Sequence, residues 1–239
     1  MPKLLLFDID GTLILTGGAG ARGMTRAFET VFEVGDAFDG IAMAGRTDPQ
    51  IMADALARAG IQADDARLGR FRSEYRRLLA EELTGPAALR KLVMPGVRAL
   101  LDALAPRRDI FLALLTGNYS EAARIKLAHF GLWEYFRCGA FGEDASERSG
   151  LVGVAVARAQ SLGHPGGGPR DVLVVGDTPL DVACARTAGV RPIAVATGGY
   201  GTDVLKASGA EAVFEDLSDV RAFLRLVDDG AGRAGGPGS

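Results

Sequence analysis

The sequence contains few of the residues that build disulfide-stabilised or zinc-binding proteins. Its 239 residues include two cysteines, Cys138 and Cys184, and two histidines. Two cysteines cannot form a disulfide framework, and the chain has no C-x-x-C pair and no Cys/His cluster that could bind zinc. These absences favour a reducing environment, and we expect a cytoplasmic protein.

Long apolar runs and a large excess of one charge are also missing. The apolar run before Asp8 is too short for the core of a signal peptide, and no later run approaches the ~20 apolar residues of a membrane span. The net charge is −3, so we expect neither a nucleic-acid partner nor binding to anionic membranes. With 48% hydrophobic and 24% charged residues, the composition is typical of a globular protein. Nothing in the sequence indicates an oligomeric state.

Short apolar runs alternate with helical patterns along most of the chain. Four runs predict buried strands, namely KLLLFDI, DIFLALLT, DVLVVGD and RPIAVAT, and weaker candidates are EAVFED and residues 137–141. The four runs are apolar throughout rather than alternating, which is typical of a parallel sheet covered on both faces. The alternation predicts an α/β fold with a Rossmann-like open parallel sheet.

Residues 16–87 interrupt this alternation, because they contain three helical patterns and no convincing strand. We therefore expect a helical cap inserted after the first strand, with residues 1–15 and 88–229 forming the α/β core. The glycine-rich residues 230–239 are expected to form a disordered tail.

Two patterns near the start of the chain are typical of proteins that handle phosphate. In GGAGARG, the glycines Gly18, Gly20 and Gly23 have the G-x-G-x-x-G spacing of a dinucleotide-binding turn. That fingerprint needs its first glycine directly after a strand of the sheet, and here a helical region follows instead of a second strand. We therefore reject dinucleotide binding and expect these glycines to form a flexible hinge.

The other pattern, FDIDGT, belongs to a set of polar clusters that follow three of the predicted strands. The set comprises Asp8 and Asp10, then Thr116, Gly117 and Asn118, then Asp177 and Asp181. The carboxyl ends of parallel strands meet at one edge, where the carboxylates would repel one another and Mg²⁺, which prefers oxygen ligands, would relieve the repulsion. Local alternatives exist, since Asn118 with Glu121 and Thr178 with Asp181 have the spacing of capping boxes.

The motifs DIDGT, LLTGN and VVGDTPLD, in this order and spacing, resemble those of the haloacid dehalogenase (HAD) superfamily of hydrolases. GGAGARG, AGRTD and ATGGY make the chain similar to its phosphoglycolate-phosphatase-like branch, and the resemblance extends to about residue 228. It implies that Asp8 is the nucleophile and Asp10 the acid/base. It also implies Mg²⁺ held by the Asp8 carboxylate, the Asp10 main-chain carbonyl and Asp177. Asp181 is expected to support the metal shell or to pair with Arg148.

The resemblance also implies a set of phosphate-binding residues, which are Gly11, Thr116, Gly117, Asn118 and Arg148. The last of these is a departure, because the third motif of the superfamily is usually a lysine. Arg148 stands at the expected position in EDASERSG, and its guanidinium offers a permanent charge that suits phosphate. Lys126 lies in the middle of a predicted helix and Lys91 precedes a different strand, so we do not expect either to replace the missing lysine.

The function implied by the resemblance is hydrolysis of a small phosphorylated metabolite. Dehalogenases and phosphonatases of the superfamily lack the second aspartate, and phosphonatases use a cap lysine, whereas residues 16–87 contain no lysine. A sugar phosphomutase of the same fold remains an alternative, as does a non-catalytic protein that binds a phosphate ligand.

Arg46 is a candidate for binding the non-reacting end of the substrate. Thr47 and Gln50 have the spacing of a capping box, so Arg46 is expected just outside a helix N-terminus, where anions are favoured. The alternative is a surface arginine paired with a neighbouring acidic side chain.

Overall fold

A computed structural model describes residues 2–85 and 90–229 of the chain. The strands, in chain order, are β1 (Lys3–Phe7), β2 (Ile14–Thr16), β3 (Lys91–Val93), β4 (Ile110–Leu115), β5 (Cys138–Ala140), β6 (Val172–Gly176), β7 (Arg191–Val195) and β8 (Ala212–Phe214). Six of them form one parallel sheet in the order β5-β4-β1-β6-β7-β8. The predicted α/β fold with an open parallel sheet is therefore confirmed, and so are both of the weaker strand candidates.

Helices cover both faces of this sheet. In chain order, the helices of the described residues are α1 (Ala19–Phe32), α2 (Asp48–Arg58), α3 (Asp65–Thr84), α4 (Val97–Leu104), α5 (Ser120–His129), α6 (Leu151–Ser161), α7 (Pro179–Thr187), α8 (Thr202–Ala207) and α9 (Val220–Asp229). Leu5 and Phe7 of β1 pack in the same core cluster as residues of α4 and α9, whereas Leu4 and Leu6 pack with residues of α6 and α7. Because every residue of β1 is buried on one face or the other, the strand reads as a continuous apolar run.

Strands β2 and β3 form a separate antiparallel ribbon, which the sequence did not predict. Ile14 pairs with Val93 and Thr16 with Lys91, so the two ends of the chain segment that carries α1 to α3 lie side by side. Each strand has only three residues, too few for the period of the side-chain pattern to indicate a strand.

Helices α1, α2 and α3 share a hydrophobic cluster of their own, centred on Phe28, Phe71 and Leu79. Gly23 allows α1 to approach α3 closely, because a Cβ atom at this position would lie 3.2 Å from the backbone nitrogen of Leu79. The division into a cap and a core stays a prediction, since its second boundary, at residues 87/88, lies outside the described residues. The tail predicted for residues 230–239 also lies outside them.

Within residues 2–85 and 90–229, no helix has both the length and the apolar character needed to cross a membrane. The cytoplasmic location expected from the sequence stays a prediction.

Candidate active site

The polar residues predicted to meet at the sheet edge do meet there. Asp8 follows β1, Thr116 follows β4 and Asp177 follows β6, and β1 lies between the other two strands. These residues line a cavity of about 450 Å³. Its opposite wall comes from the helical segment, residues 19–84, and includes Met24 and Ile51.

Three carboxylates form a buried cluster on the sheet side of this cavity. One oxygen from each of Asp8, Asp177 and Asp181 lies within 4.8 Å of the other two. Burial raises the pKa of Asp8 to about 7, and the nearby carboxylates oppose the lowering effect of Arg148. Burial and the neighbouring Asp8 raise the pKa of Asp177 to about 8. The cluster therefore resists carrying its full negative charge unless a cation lies among the oxygens.

Two glycines provide the space around the Asp177 carboxylate. A Cβ atom at Gly198 would lie 1.7 Å from Oδ2 of Asp177, and one at Gly11 would lie 2.4 Å from the same oxygen. Gly11 also has a φ of 84°, which favours glycine. Its N–H donates to the carbonyl of Ile14, so in this structure that N–H is not directed into the cavity. Gly198 lies in the ATGGY motif and was not predicted to contribute to the site.

Arg148 links the carboxylate cluster to the helical segment. Its Nη2 donates to Oδ1 of Asp8 at 2.9 Å and to Oδ1 of Asp181, and its Nη1 donates to the carbonyl of Gly45 at 3.1 Å. The side chain is buried, and its Nε has no hydrogen-bond partner in the described part of the chain. The Arg148 guanidinium thus lies beside Asp8 in the lining of the cavity, where an anion could reach it.

Asp181 has both of its carboxylate oxygens engaged. Oδ1 accepts from Arg148, and Oδ2 accepts from the backbone N–H of Thr178 at 3.1 Å and from its hydroxyl at 2.7 Å. The capping box predicted for Thr178 and Asp181 is confirmed at the start of α7. The same carboxylate therefore caps a helix and orients Arg148.

Asn118 has a different environment from the one that its spacing to Glu121 predicted. The capping box was wrong, because α5 begins after Tyr119 and has no side-chain cap. Asn118 Nδ2 instead donates to Asp10 Oδ2 and to Thr116 Oγ1, both at 2.8 Å. Its side chain therefore connects the end of β4 to the second aspartate of FDIDGT.

Lys126 is the functional candidate that sequence reasoning set aside. Its side chain is buried in the cavity wall, and Nζ donates to Asp10 Oδ2 at 2.7 Å and to Asn118 Oδ1 at 2.6 Å. The sequence contained a signal for this placement of Lys126. The lysine follows Ala123 by three residues and Ala122 by four, so the three residues share one face of α5, and all three are buried. A lysine on the apolar face of a helix needs partners in the interior, and here the partners belong to the site.

The loop before α2 closes one side of the cavity. The backbone N–H of Asp48 donates to the carbonyl of Gly117 at 2.7 Å, and the Asp48 carboxylate accepts from the backbone N–H of Tyr119 at 2.9 Å. Only glycine fits at position 117, because a Cβ atom there would lie 2.1 Å from the carbonyl oxygen of Arg46. The capping box predicted for Thr47 and Gln50 is confirmed.

The Arg46 side chain itself pairs with Asp54, with Nη2 at 2.7 Å from Oδ2, and it donates to the carbonyl of Ala42. It is not among the described residues that line the cavity. This arrangement corresponds to the predicted alternative, and a contact between Arg46 and a substrate stays a prediction.

Comparison with known proteins identifies a family, two relatives and a similar solved structure. A family model of haloacid dehalogenase-like hydrolases matches residues 2–189. Phosphoglycolate phosphatase from Rhodospirillum rubrum is 34% identical over 238 residues, which cover 98% of this chain and 96% of that protein. Phosphoserine phosphatase from Thermus thermophilus is 30% identical over 231 residues, covering 82% of this chain and 89% of that protein. The crystal structure of CbbY from Rhodobacter sphaeroides in complex with phosphate has a similar fold, with a TM-score of 0.68 at 18% identity over 92% of this chain and 96% of that one.

Proposed function

Because this chain belongs to the haloacid dehalogenase-like hydrolases, we propose that it is a phosphatase that hydrolyses small phosphate monoesters through an aspartyl-phosphate on Asp8. The contact between Asp8 and Arg148 carries this proposal. Asp8 is held at the end of the central strand, and the guanidinium lies 2.9 Å from one of its oxygens. A fixed carboxylate beside a cation that can bind an anion is what phosphoryl transfer to a nucleophile requires.

The carboxylate cluster is suited to bind a divalent cation, and we propose that this cation is Mg²⁺. Burial, together with the neighbouring carboxylates, raises the pKa of Asp8 and Asp177, so a cation among their oxygens would favour the ionised forms. The available donors are oxygens, which Mg²⁺ prefers. Asp8, Asp177 and the main-chain carbonyl of Asp10 are the proposed ligands. Asp181 is proposed to support them through Arg148, because both of its oxygens are engaged. When bound, the cation would reduce the repulsion between the Asp8 carboxylate and the phosphate dianion.

The proposed reaction has two steps, which are formation and hydrolysis of the aspartyl-phosphate. An Asp8 oxygen attacks phosphorus, the bond to the leaving alkoxide breaks, and Asp10 gives that alkoxide a proton. Asp10 then takes a proton from the water that cleaves the aspartyl-phosphate, so each group returns to its starting state. Arg148, the Thr116 hydroxyl and the backbone of Gly117 and Asn118 are proposed to bind the oxygens of the transferred phosphoryl group.

The substrate is proposed to be a small phosphate ester that also carries a carboxylate, with phosphoglycolate as the first candidate. The two named relatives are phosphatases for phosphoglycolate and for phosphoserine, which share this combination of groups. The cavity of about 450 Å³ is large enough for such a molecule.

The replacement Asp8→Asn tests the nucleophile. Asparagine has nearly the same shape and removes a buried charge, so we expect an unchanged or higher melting temperature and a loss of turnover of at least roughly 10³-fold. Turnover would be measured as phosphate released from phosphoglycolate with Mg²⁺, after chelation, and after Mg²⁺ is restored. Asp36→Asn, the same replacement at an exposed position, should retain full activity.

Three outcomes would contradict the proposal. Turnover of Asp8→Asn within tenfold of wild type would remove Asp8 from its role, and full activity after chelation would remove the metal. Conversion of a sugar phosphate to its isomer without release of inorganic phosphate would favour the phosphomutase alternative.

A further inference from the structure

Lys126 lies beneath the wall of the cavity with its ammonium directed at the second aspartate of the site. The residue is 4% exposed, and Nζ lies 2.7 Å from Oδ2 of Asp10 and 2.6 Å from Oδ1 of Asn118. Burying an ammonium is unfavourable unless charged or polar partners surround it. Its two hydrogen-bond partners among the described residues, Asp10 and Asn118, both belong to the site.

The contact with Asn118 fixes the orientation of its amide. An ammonium only donates hydrogen bonds, so the atom of Asn118 that faces Nζ must be the carbonyl oxygen. The amide nitrogen is then directed toward Asp10, where Nδ2 donates to Oδ2 at 2.8 Å. Lys126 therefore acts on Asp10 twice, through its own hydrogen bond and through the orientation of Asn118.

As a result, one oxygen of Asp10 is occupied by two N–H donors. Oδ2 accepts from Lys126 and from Asn118, and a proton placed on Oδ2 would point at both donors. No side chain within residues 2–85 and 90–229 donates to Oδ1. Asp10 keeps 41% of its side chain exposed in the cavity, compared with 5% for Lys126, so Oδ1 is the oxygen left to carry a proton.

We propose that Lys126 is a positioning residue that holds Oδ2 of Asp10, directly and through Asn118, and so leaves Oδ1 as the oxygen that faces the reacting groups. The inference rests on the proposed role of Asp10 as the acid/base. Lys126 acts through Asp10 and makes no contact with the phosphoryl group in this scheme. Its effect is therefore confined to the proton-transfer steps.

Gly20 provides the space that this arrangement needs. A Cβ atom at Gly20 would lie 3.2 Å from Nζ and 3.4 Å from Cε of Lys126. An alanine at Gly20 would be in tight contact with the ammonium, so that Lys126 or α1 would have to shift by a few tenths of an ångström. The middle glycine of the G-x-G-x-x-G pattern thus packs against Lys126.

A double-mutant cycle tests the proposal, using Lys126→Met, Asp10→Asn and the combined variant. Phosphoglycolate hydrolysis would be measured for kcat and KM separately, with melting temperatures for each protein. We expect Lys126→Met to lower kcat by roughly 10- to 100-fold and to change KM by less than about threefold. In the Asp10→Asn background, the same replacement should lower kcat by less than about threefold. Lys206→Met, at an exposed lysine, is the matched control and should leave kcat unchanged.

The outcomes separate this inference from the proposed function. An equal fold-loss from Lys126→Met in both backgrounds would overturn the positioning role, because the lysine would then act independently of Asp10. A rise in KM with kcat intact would also overturn it and would indicate a direct substrate contact. If Asp10→Asn alone retains wild-type kcat, the acid/base assignment itself fails, whatever Lys126→Met does.

First-turnover kinetics with p-nitrophenyl phosphate provide a second readout. Its leaving group needs little protonation, so the burst of p-nitrophenolate should be nearly as fast in Lys126→Met as in wild type, while the steady-state rate falls. A burst slowed as much as the steady state would overturn the proposal, since a damaged site would slow both.

Discussion

At the scale of single residues, the space around the carboxylates proposed to bind the metal depends on glycines. We expect Gly198→Ala to displace the Asp177 carboxylate, because the new Cβ atom would lie 1.7 Å from Oδ2. The Mg²⁺ concentration needed for half-maximal activity should rise roughly 10- to 100-fold, as it does when the surroundings of metal ligands are changed. Gly199→Ala is the matched control, since a Cβ atom there meets nothing within 4 Å. Equal Mg²⁺ requirements in the two variants would contradict the assignment of Asp177.

The carboxylate cluster also predicts how stability depends on pH. The pKa of Asp8 is raised from 3.8 to about 7 and that of Asp177 from 3.8 to about 8, chiefly by burial. The folded protein therefore binds more protons than the unfolded chain between about pH 4 and pH 8, and the free energy of unfolding falls as the pH rises through this window. We expect the melting temperature of the metal-free protein to be lower at pH 8 than at pH 5.

Two comparisons isolate this effect from the other titrating groups. In Asp8→Asn the fall in melting temperature between pH 5 and pH 8 should be smaller than in wild type. Mg²⁺ should raise the melting temperature more at pH 8 than at pH 5, because it binds the deprotonated carboxylates. A metal-free protein that becomes more stable from pH 5 to pH 8 would refute the raised pKa values.

At the scale of elements, the sequence predicted the strands that consist of short, continuously apolar runs. The strands that carry Asp8, Thr116 and Asp177 were recognised because both of their faces are buried, and parallel pairing then brought their ends to one edge. The β2–β3 ribbon was not predictable in this way, since its pairing joins Ile14 to Val93 across the whole helical segment. Local pattern carries no information about a contact between residues so far apart.

Helix ends show the same contrast on a smaller scale. Thr178 and Asp181 form the predicted capping box, whereas Asn118 does not cap α5 although its spacing to Glu121 is correct. The difference arises from a tertiary contact, because Lys126 and Asp10 bind the Asn118 amide and orient it toward the site. Helical periodicity could have put Lys126 on the buried face, but only the fold brings it to Asp10.

At the scale of the whole molecule, the cavity exists because the helical segment rests against the sheet edge. The contacts that join the two beside the site include Arg148 to the carbonyl of Gly45, the N–H of Asp48 to the carbonyl of Gly117, and the N–H of Tyr119 to the Asp48 carboxylate. Each involves a residue beside the proposed phosphate site or in it. Closure of the cavity and assembly of the site are therefore linked. A substitution that removes one of these contacts should alter turnover as well as stability.

Asp48→Ala tests this link between closure and activity. Asp48 is 7% exposed, and its loss would leave the buried N–H of Tyr119 without an acceptor. We expect the free energy of unfolding to fall by about 1.5–3 kcal/mol and kcat/KM for phosphoglycolate to fall by more than about tenfold. Asp48→Asn retains a carbonyl acceptor, so its free energy of unfolding and its kcat/KM should fall less than those of Asp48→Ala. Asp54→Ala, which removes an exposed carboxylate from the same helix, is the control. If Asp48→Ala loses stability yet keeps the kcat/KM of Asp54→Ala, the contact stabilises the fold without governing the site, and closure is not needed for turnover.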